Sequence, residues 1–99
     1  MHTVTKKELV DRISDQTRTK RVVVKSVIQS FLDEIIDELA MGNRLEFRGF
    51  GVFETKHHAA RAAQNPKTLE RVHVPARRTV RFKLGRLMKK KLAEAGKRT

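Results

Sequence analysis

The side chains best placed to do chemistry in this 99-residue chain are cations. Between residues 55 and 83 stand eight Lys or Arg (Lys56, Arg61, Lys67, Arg71, Arg77, Arg78, Arg81 and Lys83) against one acid, Glu70. Arg48 precedes this stretch and Arg86 follows it. Such a run suits the recognition of an extended polyanion, because each base can neutralise one charge of a regularly charged polymer. The distribution sharpens the point. Residues 1–42 hold seven Lys/Arg and seven Asp/Glu, whereas residues 43–99 hold 16 and four, and so carry the whole net charge of +12. A protein that used charge only for solubility would need no such asymmetry.

Catalysis finds little support. There is no cysteine nucleophile, no Gly-rich phosphate loop opening a helix and no HExxH pair. The acids fall mainly on the polar faces of helical patterns. His57 and His58 are strand neighbours, so their side chains point to opposite faces, which is poor metal geometry. With His2 and His73 they read as exposed polar groups or phosphate contacts. The expectation is a non-enzymatic protein with no metal and no cofactor.

Composition narrows the class. With Cys and Trp absent, neither a disulfide nor a Cys-based zinc site can form, which is compatible with a reducing cytosol. No apolar run approaches the roughly 20 residues of a membrane span. The opening "MHTVTKKELV" has no signal-peptide core. The chain reads as soluble and intracellular, one domain or part of an obligate oligomer.

The elements that must position the bases are set by spacing. "TKKE", Thr5 to Glu8, has capping-box spacing and predicts a short helix over about Lys6–Asp15. Thr19 reads as a second N-cap. From there Val23, Val24, Val27, Ile28, Phe31, Leu32, Ile35, Ile36 and Leu39 recur at steps of three and four, with Asp33, Glu34, Asp37 and Glu38 opposite them. This is a long amphipathic helix ended by Gly42. Its stripe is too wide for the short helix to cover, which points to a core shared by two chains, with Val27, Phe31, Ile35 and Leu39 in it.

The period then becomes two. In "NRLEFRGFGVFE", Leu45, Phe47 and Phe53 alternate with Arg44, Glu46 and Arg48, and Gly49 and Gly51 around Phe50 fit a tight turn. A second strand is expected over about Arg71–Lys83. Near the ribbon's base Val52, Phe53, Val80 and Phe82 are core-like, and Phe47, Phe50, Phe53 and Phe82 join the expected dimer core. The distal parts, on either side of Asn65-Pro66, are expected to have no hydrophobic face. A two-stranded ribbon of this kind is marginal by itself, so it is expected to project and to be ordered by docking on a polyanion. "GRLMKKKLAEAGKRT" predicts a basic helix over about Arg86–Ala95, ended by Gly96. Lys89, Lys90 and Lys91 suit its dipole or a phosphate backbone equally.

This order of elements, with "GFGVF" and "NPKT" in place, resembles the HU/IHF family of bacterial DNA-bending proteins. The resemblance covers about residues 3–95, and its most specific part runs from Gly49 through Phe53, Arg61, Ala63 and Asn65-Pro66 to Thr68. "TKKELVDRI" and "FKLGR" are similar to the family's opening and closing segments. The resemblance implies an α+β fold: an intertwined dimer with a helical body, a small antiparallel β-sheet saddle and two protruding β-ribbon arms. It divides one DNA-binding domain, 1–99, into a helical dimerisation body (1–42), the sheet and arm (43–83) and a basic C-terminal helix and tail (84–99). Minor-groove binding with an apolar wedge is a property of HU and IHF as a family, and by position Pro66 is the intercalating residue. Asn65 and Thr68 shape the tip, Gln64 and Lys67 flank it, and Arg61 enters the groove. Arg77, Arg78, Arg81 and Lys83 lie where arm base and saddle meet phosphates. Arg48, Lys56, Arg71 and Arg86 complete the expected DNA-binding set.

Four positions depart from the family pattern. His58 stands where the signature usually has another residue, Gln64 replaces a common basic residue, Leu69 replaces a common Gly after the turn, and Leu84 replaces a common Pro. The implied partners are double-stranded DNA and a second subunit, identical or paralogous, with no membrane. The implied role is DNA bending and condensation in a cytoplasmic, nucleoid-associated protein. The alternative is a site-selective, IHF-like bender acting as one subunit of a heterodimer in transcription or recombination, to which "NRLEFRGFGVFE" and "TKKELVDRI" look somewhat closer. A remoter alternative is a ribosomal-type RNA-binding protein, but such proteins expose stacking aromatics, and the five Phe here fall at core-like positions. A pure dimerisation module would not need the cationic stretch.

Overall fold

The computed structural model describes residues 1–96. The chain forms two compact units, Met1–Asp37 and a second beginning at Glu38.

In the first unit, helix α1 spans Lys6–Thr17. Thr5 is its N-cap and accepts the Glu8 amide on its hydroxyl at 3.3 Å. The other half of the expected capping box is replaced: the Glu8 carboxylate faces His2 at 3.3 Å and Arg12 at 3.6 Å. The helix runs two residues beyond the predicted Asp15. It stops at Arg18, which takes the left-handed conformation (φ 52°) and donates its N–H to Ser14 O. Ser14 also donates its hydroxyl to Thr19 O at 2.6 Å and accepts the Thr19 amide at 3.2 Å. That clasp explains why Thr19 is not the second N-cap. Its hydroxyl turns back to Thr17 O, and Lys20 O takes the first amides of the next helix, from Val23 and Val24.

Helix α2 spans Arg21–Ala40, 20 residues, or about 30 Å. Within the first unit it is tied to α1 by the Asp11–Arg21 ion pair at 2.8 Å and a Lys6–Gln29 hydrogen bond, and Val10 of α1 and Val24 of α2 are both buried. Most of its apolar stripe is uncovered: Val27 is 62% exposed, Phe31 52% and Ile36 63%. Among the described residues only Val10, Val24 and Leu39 are buried hydrophobics. A chain of this length needs more core than that to fold alone.

The second unit starts with the last turn of α2. Gly42 (φ 82°) donates to Leu39 O and Asn43 to Glu38 O, both at 3.0 Å. These are the two bonds of a Schellman motif, as the glycine predicts. Strands β1 (Leu45–Phe47), β2 (Gly51–His58) and β5 (Arg77–Leu84) form an antiparallel sheet in the order β1-β2-β5. The β1–β2 turn closes with Phe50 N donating to Phe47 O at 2.9 Å, and Gly49 takes φ 81°. Phe53 lies opposite Leu45 on one side and Phe82 on the other. The Phe53 and Phe82 rings meet at 4.7 Å, and Phe47 and Phe50 join them at 5.5–6.3 Å.

A second two-stranded sheet, β3 (Arg61–Gln64) with β4 (Arg71–Val74), continues the ribbon. The single strand expected over Arg71–Lys83 is therefore two strands, separated at Pro75-Ala76 and mirrored by a break at Ala59-Ala60. Proline has no amide hydrogen to donate to a ladder, and that interrupts the pairing. Helix α3 spans Arg86–Gly96 and so includes the glycine expected to end it.

Candidate nucleic-acid interface

The β2–β5 register sorts the bases by face. Val52, Glu54, Lys56 and His58 pair with Lys83, Arg81, Thr79 and Arg77. Directly opposed residues project to the same side. Lys56, Arg77, Arg81 and Lys83 thus share one face with a single acid, Glu54. That carboxylate touches Lys83 at 3.4 Å and Arg44 at 3.5 Å, so part of the local charge is held in register by the protein. The other face carries Phe53, Phe82, Thr55, Val80, His57 and Arg78.

Arg78 therefore separates from the bases it was grouped with. It donates Nη1 to Ala40 O at 2.9 Å. Thr55, which sequence reasoning passed over, donates its hydroxyl to Leu39 O at 2.9 Å. Together they occupy two of the carbonyls that a helix leaves open at its C-terminus. Alternation alone places Arg78 on the apolar side of its strand, so its register against Phe82 and Val80 was the available signal.

Farther out, Arg61 pairs with Val74, Ala62 with His73, Ala63 with Val72, and Gln64 with Arg71. One face thus holds Arg61, Ala63, Val72 and Val74, and the other holds Ala62, Gln64, Arg71 and His73. The expectation of no hydrophobic face is corrected here: a thin apolar strip exists, with Val72 45% exposed. It is too small to bury itself. Arg61, Arg71, Lys67 and Asn65 are all exposed.

The tip is a hydrogen-bonded loop. Asn65 donates its amide to Glu70 O at 2.9 Å and accepts the Leu69 amide on its carbonyl at 2.8 Å. Its side-chain oxygen accepts the Lys67 amide at 2.9 Å, an Asx turn. Thr68 accepts the Glu70 amide at 3.4 Å, and Gln64 donates to Leu69 O at 3.1 Å. Pro66 sits at the crest and has no amide hydrogen to satisfy. Leu69 adopts φ 61°, the conformation that glycine would take without cost.

Arg48 and Arg86 lie apart from the ribbon, on the β1–β2 turn and at the start of α3. Of the expected dimer-core residues, Leu39 is buried; Ile35, Phe47 and Phe53 are half-buried; Val27, Phe31, Phe50 and Phe82 are exposed in the single chain. His58 reaches Thr79 Oγ1 across the strands at 3.1 Å. The described residues include no group of three or more His, Cys, Asp or Glu able to hold a metal. None of their helices is long and apolar enough to cross a membrane.

Residues 4–93 match the family described as bacterial DNA-binding protein. The chain is 43% identical over 91 residues to the Chlamydia trachomatis protein named "Probable DNA-binding protein HU", covering 91% of each chain. It is 37% identical over 89 residues to the DNA-binding protein HU of Thermotoga maritima, covering 90% of this chain and 99% of that one. Among solved structures, an Anabaena HU–DNA cocrystal structure superposes with a TM-score of 0.79 at 33% identity, covering 91% and 98% of the two chains. An HU mutant from Thermotoga maritima gives 0.67 at 27%, covering 90% and 99%. The chain belongs to the bacterial DNA-binding protein family of HU and IHF, with its α+β fold.

Proposed function

We propose that this protein is an architectural DNA-binding protein that acts as a dimer, grips duplex DNA through the minor groove with its ribbon and bends it. The observation that carries this reading is the one-sided cationic face of β2–β5, Lys56, Arg77, Arg81 and Lys83, leading into an exposed ribbon that ends at Pro66. Arg61, Gln64, Asn65, Lys67, Thr68 and Arg71 form the distal contact surface, and Arg48 and Arg86 meet the flanks. Arg78 stays in the proposed contact set: one guanidinium N–H is given to Ala40 O, and the exposed remainder of the group is open to a phosphate. Relatives named as DNA-binding protein HU support an HU-like reading over an IHF-like one. The reading assigns no catalytic role and places the protein at the nucleoid. Residues 1–42 serve as the dimerisation body, 43–83 as sheet and arm, and the segment from 84 as the basic helix of one domain; the tail expected over 97–99 lies outside the described residues.

Bending a short duplex costs on the order of 1–6 kcal/mol, which additional phosphate contacts must offset. Pro66 concentrates that bend at one unstacked step per arm. The test is end-to-end FRET on a duplex of about 30 base pairs, titrated at two salt concentrations with wild type and Pro66→Ala. Energy transfer should rise on binding and weaken with salt. Pro66→Ala should bind with much less transfer. A duplex that is bound without its ends approaching would leave the arms as an electrostatic clamp and refute bending.

A further inference from the structure

We infer that Leu69 is a second apolar DNA contact at each arm tip, packing in the minor groove beside the step that Pro66 opens and setting how strongly easily unstacked steps are preferred. This rests on the DNA-bending reading above. Three observations carry it. The first is conformational. The bond from the Leu69 amide to Asn65 O closes a single helical turn, and Leu69 takes the left-handed conformation (φ 61°) that ends such a turn. An L side chain with a Cβ enters that region at a cost, and glycine or asparagine would enter it more readily.

The second is exposure. Leu69 is 69% exposed, so in the free protein its side chain gains little packing to offset the conformational cost. The third is that the tip holds it there. The carbonyl of Leu69 accepts from Gln64 Nε2 at 3.1 Å, and the neighbouring Glu70 is bonded on both its amide and its carbonyl. The ribbon thus fixes a leucine in an unfavourable backbone state at the outermost part of a polar, cationic loop, where only Pro66 is otherwise apolar. An apolar contact made only on docking accounts for this, because the side chain is already held at the tip before binding.

The chemistry separates Leu69 from its cationic neighbours. An apolar contact releases no counterions, so its loss weakens binding without changing the salt slope. Pyrimidine–purine steps unstack most easily, so an added apolar contact at the opened step should favour duplexes that place such a step, or a mismatch, at the kink.

The experiment compares wild type, Leu69→Asn, Leu69→Gly and Leu69→Met for affinity at three salt concentrations, with FRET bending on matched and mismatched duplexes. Asn and Gly suit the backbone state better and lack the apolar body; Met keeps an unbranched apolar side chain. Leu69→Asn and Leu69→Gly should lose about tenfold in affinity, with unchanged salt slope and a reduced preference for the mismatched duplex. Leu69→Met should stay near wild type. Asn and Gly variants that bind as tightly as wild type, or a Met variant that fails with them, would overturn the inference. Wild type that bends while Pro66→Ala does not, together with silent Leu69 variants, would refute the role of Leu69 alone. Wild type that fails to bend DNA would refute both.

Discussion

Helix α2 and the β3–β4 ribbon each leave most of their side chains uncovered, but with opposite chemistry. On α2 the open surface includes the large apolar side chains of Val27, Phe31, Leu32 and Ile36. On the ribbon it is mainly Arg61, Ala62, Gln64 and Arg71. Each large α2 side chain would contribute about 1.5–3 kcal/mol if fully covered. That is a folding term, and it calls for an apolar partner, supplied most simply by a second copy of the chain. The ribbon has almost no such term to gain. Bases of this kind are suited to neutralising phosphates, and the ribbon's own ladder is close to marginal. An incomplete core and an incomplete binding surface therefore look alike in an exposure profile, and the type of side chain tells them apart.

The helix offers the most direct test of this difference. Val27→Asp should place a charge in the shared core at a cost of about 3–5 kcal/mol. Its cooperative thermal transition should disappear at concentrations where wild type melts in one step. Wild type itself should melt at higher temperature as protein concentration rises, because its stability is tied to association. A Val27→Asp protein that stays folded and merely loses DNA would show that the stripe is not a core.

A smaller effect is expected where the sheet meets α3. An alanine Cβ at Gly85 would lie 2.5 Å from the Phe50 carbonyl carbon and 2.6 Å from Gly49 C and O. These are backbone atoms that cannot swing aside, so Gly85→Ala should destabilise by about 1–3 kcal/mol, read from denaturant midpoints. The smallest effect on stability belongs to the ribbon. Arg61→Ala should change it by less than about 0.5 kcal/mol. The same change should lower the salt slope of DNA binding by about one. A marked loss of folding in Arg61→Ala would erase the distinction between the two regions.

Much of this arrangement was legible in the residues. Thr5 and Glu8 located the start of α1, Gly42 the end of α2, and the glycines around Phe50 the β1–β2 turn, because each is tied to one backbone requirement. Less legible were places where two local signals compete. Thr19 is a good capping residue by type, but Ser14 engages its backbone first. The division of the ribbon at Ala59-Ala60 was hidden because alanines carry no period. Pro75, which cannot donate to a ladder, was the sign available. The thin strip of Ala63, Val72 and Val74 emerges only when the two strands are set in register. Arg78 was grouped by charge with neighbours that its strand turns to the other side. Family resemblance supplied DNA as the expected partner and Pro66 as the proposed wedge, neither of which can be read from periodicity.

The start of α3 has a consequence for how the second unit opens. Gly85 donates to Phe50 O at 2.8 Å, Leu87 to Gly49 O at 2.9 Å and Met88 to Gly49 O at 3.3 Å. The amides of Leu87 and Met88 in the first turn of this helix, and that of Gly85 just before it, are thus satisfied by the carbonyls of the β1–β2 turn. The turn and the helix cannot expose those amides separately. In a hydrogen-exchange experiment, Leu87 and Met88 should exchange as one cooperative group with Phe50, while the amides of the distal ribbon, held only by their own ladder, exchange far sooner.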